Sequence, residues 1–370
     1  MKKRLCTWAM IALAVLLIHD LMLIVGCSVI HGNVSFENLK TLIWDRLTVP
    51  GDAERYLQIA RDGYATEGEH AINLVFYPLY PLLIRIFSFG VLDLAAVGMV
   101  LSRLMLMGAG IALYELALMD GNGKTAWMSV LLMSVYPFSM FTVGVYTESL
   151  FLFLSILCML FIRRNKMICA GIVGFLAALT RVQGMLLIFP AVYHVVEGRL
   201  GEEKREITFR DAFLLLIPLG FCVYLCINAA LHGDPFKFME YEAGEPWYQS
   251  TKWIAENIST QYHNALNFKG LETIIYWPQI VLYFLTLMLI FLGMKQGVRM
   301  EYLLYAGVYL GFTYLSGWMI SGGRYMLCCF PVYLILAGMK NEKMRWASVI
   351  VSACFFFLYS LMFLQGYAIM

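Results

Sequence analysis

The run WAMIALAVLLIHDLMLIVGCSVI, Trp8 to Ile30, decides the fold class of this chain. Because about 20 mainly apolar residues suffice for a helix to cross the hydrocarbon core of a bilayer, the run predicts a transmembrane helix. The basic residues Lys2, Lys3 and Arg4 precede it, and no Ala-x-Ala-like cleavage site follows it. We therefore expect it to stay in the protein as a membrane anchor rather than to be removed as a signal peptide.

Similar apolar runs recur along the 370-residue chain, which is 61% hydrophobic and only 14% charged. A soluble protein of this size could not bury so much apolar surface, so the composition predicts an all-α polytopic membrane protein with one domain, residues 1–370. We expect about eleven crossings on this pattern. They are Trp8–Ile30, Ala95–Met119, Ala126–Val143, Ser149–Ile162, Met167–Val196 as two short helices around a polar corner at 180–184, Ala212–Leu231, Thr273–Met294, Met300–Trp318, Tyr325–Gly338 and Trp346–Gly366.

The distribution of basic residues predicts the orientation of these crossings. With the N-terminus in the cytoplasm, six short inner segments hold 16 of the 27 Lys and Arg residues, as the positive-inside rule requires. The two long polar loops, about 31–93 and 232–272, then lie outside. This arrangement requires Phe76–Leu92, which contains two prolines and Arg85, to be interfacial or re-entrant. It also requires the corner at Arg181 to point outward.

Other classes of function have little support in the composition. The net charge of +2 gives no indication of nucleic acid as a partner. Most of the nine cysteines lie inside apolar runs, where they are typical of small hydrophobic residues rather than disulfides or metal ligands. Cys222 and Cys226 share a helix face, but no histidine or second cysteine pair accompanies them, so a metal site there is not expected.

The polar stretch PGDAERYLQIARDGY, Pro50 to Tyr64, stands out between the apolar runs. Its apolar residues recur with a period of about 3.6, which predicts a short amphipathic helix lying in the membrane interface. Gly51-Asp52 is suited to its N-cap and Gly63 to its C-terminal stop. Asp52 at this position is either a helix cap or a functional carboxylate.

Several more polar residues fall on the predicted outer side or inside apolar runs. Arg103, Arg181 and Arg324 need partners, because an arginine at the centre of a membrane helix costs about 2.5 to 3.5 kcal/mol. Those partners are either acidic residues of neighbouring helices or an anionic ligand at the outer surface. Glu148 begins a predicted span and is suited to a helix-capping role. His232-Gly-Asp234-Pro is suited either to a helix-ending turn or to a site.

Taken in order, these segments resemble a known family. The first loop carries Asp52-Ala53-x-x-Tyr56-Leu57-x-Ile59-Ala60-x-x-Gly63-Tyr64, followed by Phe76-Tyr77-Pro78-Leu79-Tyr80-Pro81-Leu82. Later come Tyr136-Pro137, Tyr146-Thr147-Glu148-Ser149, Ala177-x-x-Thr180-Arg181-x-x-Gly184, His232-Gly233-Asp234-Pro235 and Arg324-Tyr325. The series resembles the PIG-V type mannosyltransferases (the GPI mannosyltransferase II family) and their bacterial relatives, which are integral membrane glycosyltransferases of the GT-C class.

The resemblance implies a GT-C fold and transfer of a sugar, typically mannose, from a polyprenyl-phosphate donor to an acceptor hydroxyl on the non-cytoplasmic side, with inversion. An acid in the first outer loop of this class serves as catalytic base, and that position falls on Asp52. Arg181 and Arg324 would then bind the donor phosphate. We assign substrate binding to six further residues: Tyr56, Glu148, Gln183, His232, Asp234 and Trp247.

One departure from the family pattern makes Asp45 a rival base. The family usually has tryptophan directly before the catalytic aspartate, whereas Gly51 precedes Asp52 and a Trp44-Asp45 pair occurs seven residues earlier. The downstream spacing favours Asp52. No cofactor is required by the sequence, although a divalent cation held by Asp52 with Asp45 or Glu54 is compatible with it.

Two other classes of function compete with the enzyme. A transporter or flippase could use Arg181 and Arg324 to contact lipid-linked or anionic cargo, but such proteins often contain internal repeats and none is visible here. A non-catalytic scaffold would leave the arginines without a purpose. The acceptor could be a glycolipid, a glycan or a protein. The compact loops favour a bacterial plasma membrane.

Overall fold

The computed structural model describes residues 2–32, 34–49, 51–201, 206–268, 270, 273–317, 321–367 and 369. Pro50 of the amphipathic stretch and Trp318, the expected end of one span, lie outside the described residues. The described residues form α-helices joined by short 3₁₀ or π segments. The α-helices are α1 Lys2–His31, α2 Phe36–Asn38, α3 Asp45–Thr48, α4 Asp52–Asp62, α5 Leu79–Phe87, α6 Leu94–Leu118, α7 Gly123–Ser134, α8 Glu148–Arg163, α9 Met167–Ala178, α10 Ile188–Leu200, α11 Leu216–His232, α12 Lys237–Ala243, α13 Ile254–Asn267, α14 Thr273–Gln296, α15 Met300–Leu315, α16 Gly322–Met326, α17 Pro331–Ala337 and α18 Glu342–Leu364. The 3₁₀ segments are Glu69–Val75, Ser139–Thr142, Val182–Leu187 and Phe209–Leu215, and Leu39–Trp44 is a π-helix.

The prediction of an all-α membrane protein is confirmed. Within the part of the chain that the structure describes, five helical segments are long and apolar enough to cross a membrane, namely Lys3–His31, Leu94–Leu118, Phe209–His232, Ile275–Gln296 and Glu342–Leu364. The other predicted spans are shorter helices, so the number of eleven crossings stays a prediction.

Two predicted spans are not continuous helices. The expected span Ala126–Val143 ends as α7 at Ser134, and Pro137 follows two residues after Val135, where a proline readily stops a helix. The expected span Tyr325–Gly338 is divided into α16 and α17, and Pro331 begins the second of these. The residues around both breaks are almost all buried, and both regions contribute to the site described below.

The segment before α6 has the bent shape expected of Phe76–Leu92. The 3₁₀ helix Glu69–Val75 and α5 meet at an angle of 109°, as in a broken span or a re-entrant loop. Tyr80 fixes α5 to α6, because its hydroxyl donates to the Gly98 carbonyl oxygen at 3.0 Å. Helix α5 in turn supports α4, the amphipathic helix, whose Tyr56 ring meets the Tyr80 ring edge-on with centroids 5.5 Å apart.

Close backbone approach explains the small residues of α9 and α11. A Cβ at Gly171 would collide with the Phe213 carbonyl oxygen, and one at Gly220 would collide with the Phe175 carbonyl oxygen. Small residues let helices in a membrane approach this closely and gain packing contacts. The predicted break of Met167–Val196 is confirmed, with the 3₁₀ helix Val182–Leu187 lying between α9 and α10.

This packing predicts opposite effects for two glycine-to-alanine substitutions. We expect Gly171→Ala to destabilise the protein by about 1 to 3 kcal/mol, because overpacking forces backbone shifts. Gly307→Ala in α15, where a Cβ would meet nothing within 4 Å, should instead be neutral or stabilise by up to about 1 kcal/mol from helix propensity. Thermal unfolding in detergent measures both, and equal melting temperatures for the two variants would contradict the close approach.

One end of the bundle is joined by ion pairs. Glu115 at the end of α6 accepts hydrogen bonds from Arg4 of α1, from Trp8 and, at 2.9 Å, from Arg164 after α8. Asp120 joins the same region to the end of α8 and the start of α15 through two arginines, Arg163 at 2.7 Å and Arg299 at 2.8 Å. These residues all belong to or adjoin segments predicted to share the cytoplasmic side. The contacts among these residues support the prediction that the segments lie on the same side of the membrane. That this side is the cytoplasm stays a prediction.

Candidate active site

Asp52 begins α4 at the end of the bundle opposite to these ion pairs. Gly51 is the N-cap residue, with φ 64° and ψ −122°, a backbone conformation that glycine adopts readily and tryptophan only with strain. This accounts for glycine where the family usually has tryptophan. No side chain caps this helix start, so the interpretation of Asp52 as a helix cap is wrong. Its carboxylate, 29% exposed, forms an ion pair instead.

The partner of Asp52 is Arg324, which lies 272 residues later in the chain. An Nη1–H of Arg324 donates to Asp52 Oδ2 at 2.6 Å. The backbone on both sides of Arg324 is fixed, because the Tyr136 hydroxyl donates to the Gly323 carbonyl oxygen at 3.2 Å and the Tyr309 hydroxyl donates to the Tyr325 carbonyl oxygen at 2.9 Å. The short helix α16 thus holds an almost fully buried arginine against the amphipathic helix.

Glu148 joins Arg324 to a second arginine. Its Oε1 accepts from Arg324 Nε and, at 2.9 Å, from Arg181 Nη2. The Glu148 side chain is completely buried, and a buried carboxylate is tolerated only when it is paired and hydrogen-bonded. Glu148 begins α8 as predicted, in the first turn where an acid is favourable, and two guanidinium groups hold its carboxylate in addition. The sequence left two kinds of partner open for Arg181 and Arg324, namely acidic residues of neighbouring helices or an anionic ligand. The structure shows acidic partners for both.

Aromatic rings surround the charged groups. The Arg324 guanidinium carbon lies 4.7 Å from the ring centre of Phe141 and 4.9 Å from that of Tyr146, and Arg181 lies 5.1 Å from the ring centre of Tyr325. Such contacts stabilise a buried cation through the ring quadrupole. The four charged residues Asp52, Glu148, Arg181 and Arg324, called here the charged cluster, thus lie in an aromatic setting with low solvent access.

Two polar atoms of the charged cluster are buried without a hydrogen-bond partner. They are Nη2 of Arg324 and Oε2 of Glu148. A buried donor or acceptor that remains unpaired costs about 1 to 3 kcal/mol, and more when it is charged, so such atoms are rare away from functional sites. A donor and an acceptor left free on neighbouring side chains fit a ligand that carries both an anionic group and hydroxyl groups.

The rival base lies apart from the charged cluster. Asp45 is exposed at the start of α3. Tyr56 and Gln183, both assigned to substrate binding, are buried. The Tyr56 hydroxyl lies 3.5 Å from Thr147 Oγ1, next to Glu148, while Gln183 lies in the 3₁₀ helix two residues after Arg181.

The remaining predicted residues lie on the second outer loop. The His232 motif is a helix-ending turn, as one alternative predicted, with Gly233 in the left-handed conformation and Asp234 Oδ1 accepting from the Phe236 N–H at 2.8 Å. Trp247 packs over Arg55, whose guanidinium carbon lies 5.0 Å from the ring centre. It therefore docks the second loop onto α4 without touching the charged cluster. Substrate binding by these residues stays a prediction.

Sequence reasoning missed the aromatic residues that face the arginines. Phe141 follows the early end of α7, and nothing in its local pattern distinguishes it from packing residues. Tyr146 and Tyr325 belong to the family motifs, but sequence reasoning assigned them no role of their own. Each of the two rings contacts an arginine of the charged cluster. An aromatic residue adjacent to a buried charge in a broken apolar run is the signal that could have identified them.

The divalent cation that the sequence left open, held by Asp52 with Asp45 or Glu54, stays a prediction. Among the described residues, no group of three or more His, Cys, Asp or Glu side chains is placed to hold a metal ion. The Arg324 guanidinium already supplies the positive charge beside the Asp52 and Glu148 carboxylates.

The fold matches that of a solved membrane glycosyltransferase. ArnT from Cupriavidus metallidurans, solved bound to undecaprenyl phosphate, superposes with a TM-score of 0.53 at 12% sequence identity, over 84% of this chain and 60% of that one. The chain therefore spans less than two thirds of the length of that structure. ArnT is a GT-C glycosyltransferase, and the fold described here is an integral membrane fold of the same class.

The sequence itself identifies the family. The model of the mannosyltransferase family PIG-V matches residues 19–232, more than half of the 370 residues, and the chain belongs to this family. The predicted resemblance to this family is thereby confirmed. No curated protein sequence matches the chain.

Proposed function

We propose that the protein transfers a sugar, mannose in keeping with its family, from a polyprenyl-phosphate donor to an acceptor hydroxyl on the non-cytoplasmic side of the membrane, with inversion. The observation that carries the proposal is the charged cluster. It places one partly exposed carboxylate, Asp52, beside two buried guanidinium groups in a fold shared with a protein solved with undecaprenyl phosphate. A carboxylate next to a phosphate-binding arginine is the minimum that this reaction requires.

The arginines suit the phosphate of the donor. Arg324 has a free Nη2 and donates its Nη1–H to a carboxylate that is only partly buried. A phosphate oxygen can accept from both groups, since guanidinium binds phosphate in a bidentate manner. Arg181 adds a second positive charge through its contact with Glu148. Together they would stabilise the negative charge that develops on the departing polyprenyl phosphate.

Asp52 then serves as the base. In the resting site its Oδ2 is occupied by the Arg324 Nη1–H. When the donor phosphate takes the Arg324 Nη1–H, Asp52 Oδ2 is released next to the reacting carbon. The acceptor oxygen attacks the anomeric carbon and its proton passes to Asp52. The bond from that carbon to the phosphate oxygen breaks, and its electron pair leaves with the polyprenyl phosphate.

The proposal is tested with purified protein in detergent and undecaprenyl-phosphate mannose as donor. The expected results are release of undecaprenyl phosphate and formation of a mannosylated product with inverted anomeric configuration. Membrane lipid extracts, glycans and peptides from the host supply the three acceptor classes in separate assays. Absence of both transfer and donor hydrolysis with this donor and its glucose counterpart would overturn the proposal.

The proposed orientation can be tested separately. A cysteine at position 234, exposed in the second outer loop, should react with an impermeant maleimide added to intact cells, whereas a cysteine at position 343, exposed at the start of α18, should react only after permeabilisation. Both are placed in a background without the native cysteines. The reverse pattern would contradict the cytoplasmic N-terminus and, with it, the outward-facing charged cluster.

A further inference from the structure

A second carboxylate approaches the site from the other outer loop. Glu242 lies on α12, which packs against the 3₁₀ helix Glu69–Val75 of the first loop. The charge of Glu242 is close enough to interact with Tyr77 and Tyr224 and with Tyr325, the residue that covers Arg181. Tyr325 also experiences the charge of Asp52. The packing agrees with this proximity, because Val182, which follows Arg181, and Tyr241, which precedes Glu242, both pack against the hydrophobic cluster that contains Tyr77 and Tyr224.

The Glu242 carboxylate has no hydrogen-bond or ion-pair partner among the described residues, although it is withdrawn from solvent. Burial raises the pKa of this carboxyl to about 7. The contrast with Glu240 on the same helix is informative, because Glu240 is exposed and its Oε2 accepts from Lys237 Nζ at 2.7 Å. A desolvated acid without a partner destabilises a fold, and proteins retain such groups mainly where they bind something.

The Tyr77 hydroxyl is an independent sign of a ligand at the same place. Tyr77 is 8% exposed, its ring stacks on that of Tyr224 with centroids 4.1 Å apart, and its hydroxyl is buried without a hydrogen-bond partner. By contrast, the hydroxyl of Tyr224 has a partner, because it donates to the Leu74 carbonyl oxygen at 2.7 Å. Tyr77 and Glu242 thus offer a free hydroxyl and a free carboxylate beside aromatic rings.

We infer that Glu242 and the Tyr77 hydroxyl form a subsite for a sugar ring, binding its hydroxyl groups beside the charged cluster. Sugars present several donors and acceptors at short spacing, together with apolar C–H faces. An aromatic pocket with a few converging polar groups matches that chemistry. The carboxylate accepts from one or two sugar hydroxyls, and the phenol can donate or accept. The inference rests on the proposed function, since it is that function that brings a sugar to the charged cluster.

The sugar can be that of the donor or that of the acceptor, and binding measurements distinguish the two. The ligands are undecaprenyl-phosphate mannose, undecaprenyl phosphate without sugar, and octyl mannoside as a soluble sugar. The variants are Glu242→Ala and Tyr77→Phe, with Glu240→Ala as the matched control on the same helix. Affinities come from the ligand-dependent shift of the melting temperature, which needs no turnover.

We expect Glu242→Ala to weaken binding of one sugar-bearing ligand by about 10- to 100-fold, as for loss of a charged hydrogen bond, and Tyr77→Phe by about 2- to 10-fold. Weaker binding of undecaprenyl-phosphate mannose places the donor sugar in the subsite, and weaker binding of octyl mannoside places the acceptor there. Affinity for undecaprenyl phosphate itself should not change. In the absence of ligand at pH 8, Glu242→Gln should not lower the melting temperature, because it removes a desolvated charge.

The inference is overturned if Glu242→Ala binds all three ligands as Glu240→Ala does. It is also overturned if Glu242→Gln lowers the melting temperature by several degrees, since the carboxylate then has a structural partner. A wild-type protein that binds the sugar through Glu242 but neither transfers nor hydrolyses it would refute the proposed function and leave the subsite standing.

Discussion

Asp52→Asn should reduce sugar transfer by about 10²- to 10⁴-fold, the contribution expected of a general base. Asparagine has nearly the shape of aspartate but cannot take up the acceptor proton. The protein should stay folded, because Arg324 keeps its contact with Glu148 and α4 has no side-chain cap to lose. Affinity for undecaprenyl phosphate should be kept or increase, since the competing carboxylate is gone.

The matched control for this substitution is Asp45→Asn, which alters an exposed aspartate seven residues earlier and should leave transfer within about 2-fold of wild type. Initial rates with undecaprenyl-phosphate mannose and donor binding by melting-temperature shift give the two readouts. Full activity of Asp52→Asn together with loss of activity in Asp45→Asn would assign the base to Asp45 and contradict the geometry.

Arg324→Ala should affect stability and activity together. The substitution removes the partner of Asp52 and one of the two partners of the completely buried Glu148. Breaking a buried ion pair on one side costs about 3 to 5 kcal/mol, because a charge remains buried and uncompensated. Donor affinity should also fall by at least 10-fold through loss of the phosphate contact.

A second substitution separates the two effects. In Arg324→Ala/Asp52→Asn the excess carboxylate is gone and Glu148 stays paired with Arg181, so the melting temperature should recover in part, while affinity for undecaprenyl phosphate stays low because no guanidinium remains at position 324. Unfolding in detergent and affinity for undecaprenyl phosphate are compared for both single variants and the double variant. Recovery of donor affinity along with stability would show that Arg324 acts only as a structural partner and not in donor binding.

The class of fold and the identity of the charged residues could be predicted from the sequence, because both depend on local patterns. Apolar runs of bilayer length predict α6 to within one residue at each end, and they predict the end of α1, which begins six residues earlier than expected. A charge within or beside such a run stands out at Arg181 and Arg324. Helix ends were less predictable. The short α7 and the division between α16 and α17 follow from prolines whose effect depends on neighbouring packing.

The pairing inside the site could not be predicted, since it joins residues far apart in the chain. Nothing near Asp52 indicates that its partner lies 272 residues later, and the same local pattern is compatible with a helix cap. The surroundings of Glu242 also depend on contacts between distant parts of the chain. Glu240 has a local partner in Lys237, three residues earlier, whereas only the docking of α12 on the first loop shields Glu242 in part from solvent.

The charged cluster has a consequence for the order of events in the proposed reaction. Two carboxylates and two guanidinium groups sum to a net charge of zero, and Asp52 Oδ2 is occupied by Arg324. Under the proposed function, a donor phosphate that takes the Arg324 Nη1–H would free this oxygen only once the phosphate is in place. The same contact that holds the resting site together would thus limit hydrolysis of the lipid-linked sugar by water before the donor is bound.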